Sequence, residues 1–198
     1  MTEIGAKRLR KIQKDSLRRA QEKSISARSE LRKAYLAEKT QKNEPLMAEL
    51  SSDSVRKLML ATLYLAEGTK RTRGSLTFGN SDPGIIRLFL DLFRESFAVD
   101  EQKFRCTVQA RNDQDLLALE EFWSRHTDIP STQFYKTRVD ARSIGQKSRK
   151  KEYKGVCRID YLSADSLYEL MVIGSMLTQG PVAQLVERAN GIREVGGS

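Results

Sequence analysis

The sequence contains few of the side chains that build metal and redox sites. Two cysteines and one histidine occur in 198 residues, which is too few for a structural zinc site of the usual type. No run approaches the roughly 20 consecutive apolar residues of a membrane-spanning helix, and no charged start followed by an apolar run marks a secretory signal. Because so few cysteines fit a reducing compartment, we expect a cytoplasmic protein in which Cys106 and Cys157 are buried thiols.

Charge is distributed unevenly along the chain. The formal net charge is +9 and the isoelectric point is near 9.6, which favours a polyanionic partner. Residues 1–45 alone hold thirteen Lys and Arg against six Asp and Glu. We expect residues 1–50 to form a basic helical arm or linker, because Pro45 is the first proline. Its apolar residues are too sparse to form a packed seam, so it either contacts DNA or is a solvated charged linker.

Residues 51–178 show the alternating patterns of one α+β domain. The predicted order is helix, strand, helix, strand, helix, strand, strand, helix. Such an order predicts a four-stranded antiparallel sheet with helices on one face. The predicted helices cover residues 54–67, 83–97, 112–125 and 165–177, and the predicted strands cover residues 75–80, 103–111, 132–139 and 155–162.

The first of these helices has an unusual end. From Leu58 to Ala66 it is apolar apart from Thr62, and it then finishes at Glu67, followed by Gly68. A helix that is apolar all round is expected to be buried on every side, and Gly68 can end it in the left-handed conformation. A carboxylate in the last turn opposes the helix dipole at a cost of about 0.3–1 kcal/mol. We therefore infer that Glu67 has a functional role.

Small residues on the same helix predict a partner helix. Thr62 and Ala66 are four residues apart and share one face, where two backbones can approach closely. We therefore predict that a second copy of the chain packs on Met59, Thr62, Leu63 and Ala66. Such a homodimer would bring two Glu67 carboxylates together, and a divalent cation such as Mg²⁺ would relieve their repulsion.

This stretch resembles the sequence motif of the LAGLIDADG homing endonucleases. The matching residues are Leu60, Ala61, Leu63, Ala66, Glu67 and Gly68, while Thr62 replaces the usual glycine and Leu65 replaces an acid. The run Leu76–Pro83 is similar to a bacterial branch of this family whose role is uncertain. An ordinary buried helix with an exposed terminal glutamate is the alternative interpretation.

The resemblance implies a site-specific, Mg²⁺-dependent endonuclease that cuts double-stranded DNA as a homodimer. In that family the last acid of the motif binds the catalytic metal, and here that acid is Glu67. In the same family a polar residue near a strand end orients the attacking water, and a lysine stabilises the developing charge. The resemblance therefore indicates Gln109 and Lys154, with Lys70 as a further candidate. One of the two usual acids is missing, so a DNA-binding transcriptional regulator that does not cleave is the main alternative. An RNA-binding or intron-splicing helper is a weaker one.

One face of the predicted sheet is polar. Along strand 103–111 alternate residues face one way, and the polar set is Arg105, Thr107, Gln109 and Arg111. Gln133 and Arg158 hold similar positions on the last two strands. Arg, Gln and Thr on strands can read base edges in the major groove, although a solvated sheet face has the same composition.

A basic loop lies between the last two predicted strands. Its cations are suited to phosphate contact, and a solvated run of charge is again the alternative. The predicted DNA-binding residues of this loop are Arg142, Lys147, Arg149, Lys150 and Lys151.

Residues 179–198 differ from the rest of the chain. From Gly180 onward, the run GPVAQLVERANGIREVGGS resembles a tRNA gene translated in its sense frame. We therefore expect this read-through tail to be disordered and to add no function.

Overall fold

The computed structural model of the chain describes residues 3–71, 74–146 and 152–179, with side chains from residue 12 onward. The chain divides into two compact units, residues 1–51 and 52–198. The predicted boundary after residue 50 lies one residue from this division. The tail sequence, residues 180–198, lies outside the described residues.

The first unit is mostly one helix. Helix α1 (Glu3–Asn43) is followed by a 3-10 helix at Glu44–Ser51. The described side chains of α1 are exposed except that of Lys39, whose ammonium lies 4.8 Å from the centre of the Tyr35 ring. The predicted long helix is confirmed. None of the described residues of this unit is buried, so they form no hydrophobic core of their own.

The second unit is built on a four-stranded sheet. Its strands are β1 (Leu76–Asn80), β2 (Phe104–Ala110), β3 (Arg138–Val139) and β4 (Val156–Tyr161), in the spatial order β1-β4-β2-β3. β4 pairs antiparallel with both β1 and β2. The predicted four strands and the α+β class are confirmed.

The remaining strand departs from the prediction. β3 has two residues and pairs parallel with β2, so the predicted all-antiparallel sheet is wrong. Helix α4 (Leu116–Thr127) connects β2 to β3, and a helical crossover returns the chain to run in the direction of the strand it left. Part of the strand predicted at 132–139 is instead a 3-10 helix at Ser131–Gln133.

Within the described residues, four helices accompany the sheet. They are α2 (Asp53–Glu67), α3 (Pro83–Ser96), α4 and α5 (Ala164–Gln179). The Asp82 carboxylate accepts a hydrogen bond from the Gly84 amide at 2.8 Å, and Asp115 accepts one from the Leu117 amide at 3.0 Å, so both aspartates cap a helix. Gln179, expected in the tail, is the last residue of α5. No described helix has the length and apolar composition needed to cross a membrane.

The core lies between the sheet and these helices. Alternate residues of β2, from Phe104 to Ala110, are buried. From α3, the Phe89 ring stacks on Phe78 of β1 with ring centres 4.1 Å apart. Buried apolar residues of β1, β2, β4 and of α2 to α5 form one cluster. The apolar face of the sheet and the apolar stripes of the helices therefore share a single core.

Both cysteines are buried in this core as free thiols. The Sγ atoms of Cys106 and Cys157 are 3.3 Å apart. Burial and the contact with Cys106 raise the pKa of the Cys157 thiol, because loss of solvent disfavours the thiolate. The predicted buried thiols are confirmed.

We expect Leu60→Ala to lower the free energy of unfolding by about 2–5 kcal/mol. Leu60 is fully buried on α2, so its truncation removes apolar contacts and leaves a cavity. Leu58→Ala makes the same chemical change on the same helix, but Leu58 is 45% exposed, and its cost should stay below about 1 kcal/mol. Urea denaturation at one fixed protein concentration measures both, and equal losses would contradict this orientation of α2.

Candidate nucleic-acid interface

The C-terminus of α2 is attached to the outer edge of the sheet. Gly68 forms a bridge with Phe78 of β1, and the Thr69 amide donates a hydrogen bond to a β1 carbonyl at 2.9 Å. The Tyr64 hydroxyl donates to the Thr69 carbonyl at 2.8 Å, and burial raises the pKa of this hydroxyl, which keeps it a donor. These bonds hold the last turn of α2, which carries Glu67, beside the edge strand β1.

A close approach, and not a left-handed turn, requires glycine at position 68. Gly68 has φ −75° and ψ 152°, an extended conformation open to any residue, so the predicted left-handed helix end is wrong. A Cβ at this position would lie 2.4 Å from the Tyr64 ring and 2.5 Å from the Tyr64 carbonyl oxygen. Glycine is needed because the chain leaves the helix directly against this tyrosine.

Glu67 is exposed at this helix end. Among the described residues, none forms an ion pair or hydrogen bond with its carboxylate. No group of three or more His, Cys, Asp or Glu that could hold a metal ion occurs in the described part of the chain. An accessible carboxylate is a ligand that suits Mg²⁺, which binds through one or two carboxylates and keeps several waters. Two copies of Glu67 require two chains.

One side of α2 is left uncovered. Helices α3 and α5 pack against α2, and β1 lies against it as well. Met59, Thr62 and Ala66, spaced three and four residues apart, are exposed, and Leu63 is half-buried beside them. We call these four residues the α2 stripe. These are the residues predicted to form a dimer interface. Within one chain α2 is therefore not buried on every side, and a further partner would be needed to cover this one.

The face of the sheet opposite the core carries residues in cross-strand rows. The rows are Thr77–Asp160–Arg105, Gly79–Arg158–Thr107 and Val156–Gln109–Arg138. We call these nine positions the outer face. Along β2, Arg105 and Thr107 are half-buried and Gln109 is exposed, while the residues between them are buried. The alternation predicted for this strand is therefore confirmed.

A buried aspartate organises the outer face. Asp160 is 4% exposed, and its carboxylate accepts hydrogen bonds from the Thr77 hydroxyl at 2.5 Å and from Arg158 Nη2 at 2.7 Å. These partners satisfy the buried charge and fix the guanidinium of Arg158 at the surface. Sequence reasoning placed Asp160 on the polar face as a possible DNA contact but gave no role to Thr77. The spacing of Arg158 and Asp160 places both on one face, but Thr77 joins them through strand register, which alternation does not reveal.

Within the described part of the chain, the other arginines predicted to bind DNA already have polar partners. Arg105 donates to two backbone carbonyls at 2.7 Å, and Arg111 lies 3.9 Å from the Asp113 carboxylate. Arg142 pairs with Asp140 at 3.0 Å, and its hydrogen bonds hold the pKa of that carboxyl below its usual value. All three stay in reach of solvent, and Arg142 has an 86% exposed side chain. The other cations predicted in this loop, Lys147, Arg149, Lys150 and Lys151, lie outside the described residues.

Gln133 is not on the outer face. It is 8% exposed, and its Nε2 donates to the carbonyls of Glu101 and Phe104, both at 2.8 Å. Because residues 131–133 form a 3-10 helix, the strand alternation that indicated Gln133 does not apply. The predicted DNA contact is not available to this side chain, which instead joins the chain before β2 to the segment after α4.

The predicted catalytic residues do not gather around Glu67 in one chain. Gln109 is on β2, and β1 and β4 lie between it and the Gly68 bridge, a separation of three strand spacings or about 14 Å. Lys154 lies on the side of α4, with Nζ 5.3 Å from the centre of the Phe122 ring. The further candidate, Lys70, is exposed three residues after Glu67.

The start of β4 is fixed by a second glycine. Gly155 has φ +73°, and a Cβ there would lie 2.5 Å from the Gln109 carbonyl oxygen. Only glycine tolerates both conditions. The tight contact places Val156 opposite Gln109 and so sets the register of the outer face.

Comparison with known protein families finds no family model that matches this chain. Comparison with curated protein sequences finds no match either. The LAGLIDADG resemblance therefore rests on the residues of α2 and of the run after it, and what it implies about function stays a prediction.

We expect Gly68→Ala to lower the free energy of unfolding by about 1–3 kcal/mol, the usual cost of forcing an extra carbon into a packed site. The new methyl group would displace Tyr64 and weaken the attachment of α2 to β1. Gly74→Ala is the matched control, because a Cβ at Gly74 would meet nothing within 4 Å. Chemical denaturation measures both variants, and a stable Gly68→Ala protein would refute the close approach to Tyr64.

Proposed function

We propose that this chain binds double-stranded DNA and, as a homodimer, cuts it at a specific site in a Mg²⁺-dependent reaction. The observation that carries the proposal is the exposed carboxylate of Glu67 at the end of α2, which pairs with none of the described residues and lies next to an exposed stripe on the same helix. The sequence resemblance supplies the reaction class. The structure supports the proposal by leaving both features accessible.

The α2 stripe is suited to a second copy of itself. Its exposed members are Met59 and two small residues, Thr62 and Ala66, and small side chains let two helix axes approach closely. A two-fold axis through the stripe would give a self-complementary interface. Because Ala66 precedes Glu67, the same axis would bring the two carboxylates near each other, where like charges favour a bound cation.

The outer face supplies groups that recognise DNA. Arginine pairs with guanine, glutamine with adenine, and threonine contacts the methyl group of thymine. Arg158 is held in place by Asp160, so little side-chain entropy is lost when it binds. A homodimer would present two outer faces, which favours a target with two related half-sites.

The chemistry would be divided between the metal and the chain. A bound Mg²⁺ polarises a phosphate oxygen and activates water. Glu67 of each chain would supply its carboxylate ligands. The outer faces would hold the duplex so that one phosphodiester lies at the two carboxylates. Such positioning by itself would lower the activation free energy of cleavage.

A DNA-binding regulator that does not cleave is the second candidate. It is favoured by the separation of Gln109 and Lys154 from Glu67 within one chain, because assisting groups have to lie near the reacting phosphate. The outer face would serve this function equally well.

Glu67→Gln should abolish metal-dependent cleavage and keep DNA binding. The amide has the same shape but loses the charged ligand, and loss of several kcal/mol of metal-based stabilisation corresponds to a rate about a thousandfold lower. Glu121→Gln is the control, since Glu121 is exposed on α4. Both variants are compared with the parent protein on duplex DNA from the flanking genome, with Mg²⁺ or with EDTA. Cleavage that survives in Glu67→Gln contradicts the catalytic role, and tight binding without cleavage by the parent protein supports the regulator.

Ala66→Arg should convert the homodimer to a monomer. A charged side chain at the centre of a close helix contact would be desolvated without a partner. Ala118→Arg places the same side chain on an exposed position of α4 and should leave the dimer intact. Sedimentation velocity over a concentration series measures both, and a parent protein that is monomeric throughout would overturn the proposed dimer.

A further inference from the structure

The exposed surface of α1 carries a continuous basic stripe. Positions three and four residues apart lie in line along a helix, and one such line through α1 holds no acid. Its members are Lys14, Arg18, Gln21, Ile25, Arg28, Arg32, Tyr35, Lys39 and Lys42. We call this line the arm stripe. Six of its nine positions are cationic, so the positive charge of the arm is ordered along one side.

The acids of α1 from residue 12 onward lie off this line. They are Asp15, Glu22, Glu30 and Glu38. Two of them pair with arm-stripe cations, Arg18 with Glu22 at 2.9 Å and Lys39 with Glu38 at 3.2 Å. Both pairs are exposed, and exposed pairs are worth little. Arg28, Arg32 and Lys14 form no ion pair with any described residue, so they are available to a partner.

The length of the arm stripe suits a duplex. From Lys14 to Lys42 it rises about 42 Å at 1.5 Å per residue. Double-stranded DNA presents a negative charge about every 1.7 Å along its axis, counted over both strands, and a line of this length spans more than one helical turn of about 34 Å, so it crosses both phosphate backbones. A straight helix with regularly spaced cations can contact phosphates without reading bases.

The apolar residues of α1 do not define a competing surface. Ile12, Leu17, Ile25, Leu31, Tyr35 and Leu36 are all more than half exposed. From Ile12 to Leu31 successive ones are five, eight and six residues apart, which is not the three-and-four spacing of an apolar stripe. A membrane-surface helix needs one apolar face, and a coiled coil needs a sustained apolar seam. Along α1 the cationic residues, and not the apolar ones, follow a regular helical spacing.

We propose that the arm stripe is a separate, sequence-independent binding surface for the phosphate backbone of duplex DNA. The inference shares its partner with the proposed function, but it does not depend on the outer face, on Glu67 or on cleavage. In the whole protein the arm would hold any duplex loosely, and the outer face would select the site.

The test compares two triple variants of the full-length chain on a duplex of random sequence. The stripe variant is Lys14→Gln, Arg28→Gln and Arg32→Gln. The control is Arg19→Gln, Lys23→Gln and Lys33→Gln, which removes the same charge from α1 away from the arm stripe. Glutamine is a good helix former, and circular dichroism checks that α1 persists in both.

Affinity is measured over a range of salt concentrations. Loss of three phosphate contacts should reduce the slope of log K against log salt by about 2.7 in magnitude and weaken binding about tenfold or more. The control should keep the parent slope. Equal losses in the two variants, or no loss in the stripe variant, would overturn the proposal, as would a stripe variant that loses affinity for phosphatidylserine vesicles but not for the duplex.

A third variant, Glu67→Gln, tests this inference separately from the proposed function. Glu67→Gln should bind the random duplex like the parent protein, because neither α1 nor its charge changes. Failure of Glu67→Gln to lose cleavage therefore counts against the proposed function alone. An unchanged salt slope in the stripe variant counts against the arm surface alone.

Discussion

The attachment of α2 to the edge of the sheet is the contact on which the candidate site depends. A glycine at position 68 lets the chain leave the helix against the Tyr64 ring and pair at once with β1. The tyrosine hydroxyl then closes the turn through Thr69. Without this contact the last turn of α2 would fray, as helix ends do when their carbonyls lack partners. With it, Glu67 has a defined position although its carboxylate bonds to no residue in the described part of the chain.

The second unit therefore combines a covered core with two accessible surfaces. The α2 stripe is open because α3, α5 and the sheet cover only the other sides of the helix. The outer face is open because the helices share one core on the opposite face. Asp160 and Thr77 are exceptions to this division, because both are buried on the polar face, and the Asp160 carboxylate is satisfied by Thr77 and Arg158. Burial there serves to fix an arginine rather than to fill the core.

Sequence periodicity was a good guide where local pattern decides structure. The alternation of β2 and the two buried thiols followed from spacing, because one buried face imposes a period. The end of α2 at Glu67 followed from the glycine after it, although the left-handed conformation expected there was wrong. The parallel β3 and the position of Gln133 did not follow, since both depend on how α4 returns the chain to the sheet. The contact of Lys154 with Phe122 also did not follow, because it is set by tertiary packing. The pairing of Thr77 with Asp160 needed a register that one sequence does not contain.

The glycine at the start of β4 fixes the register of that strand, whatever sequence precedes it. Gly155 presses its backbone against Gln109 in a conformation closed to other residues, so the strand always begins at the same rung of the sheet. Insertions before Gly155 would leave this register unchanged, because the contact between Gly155 and Gln109 sets it. A descendant of this protein could thus acquire a different segment before Gly155 while every residue of the outer face kept its cross-strand neighbour.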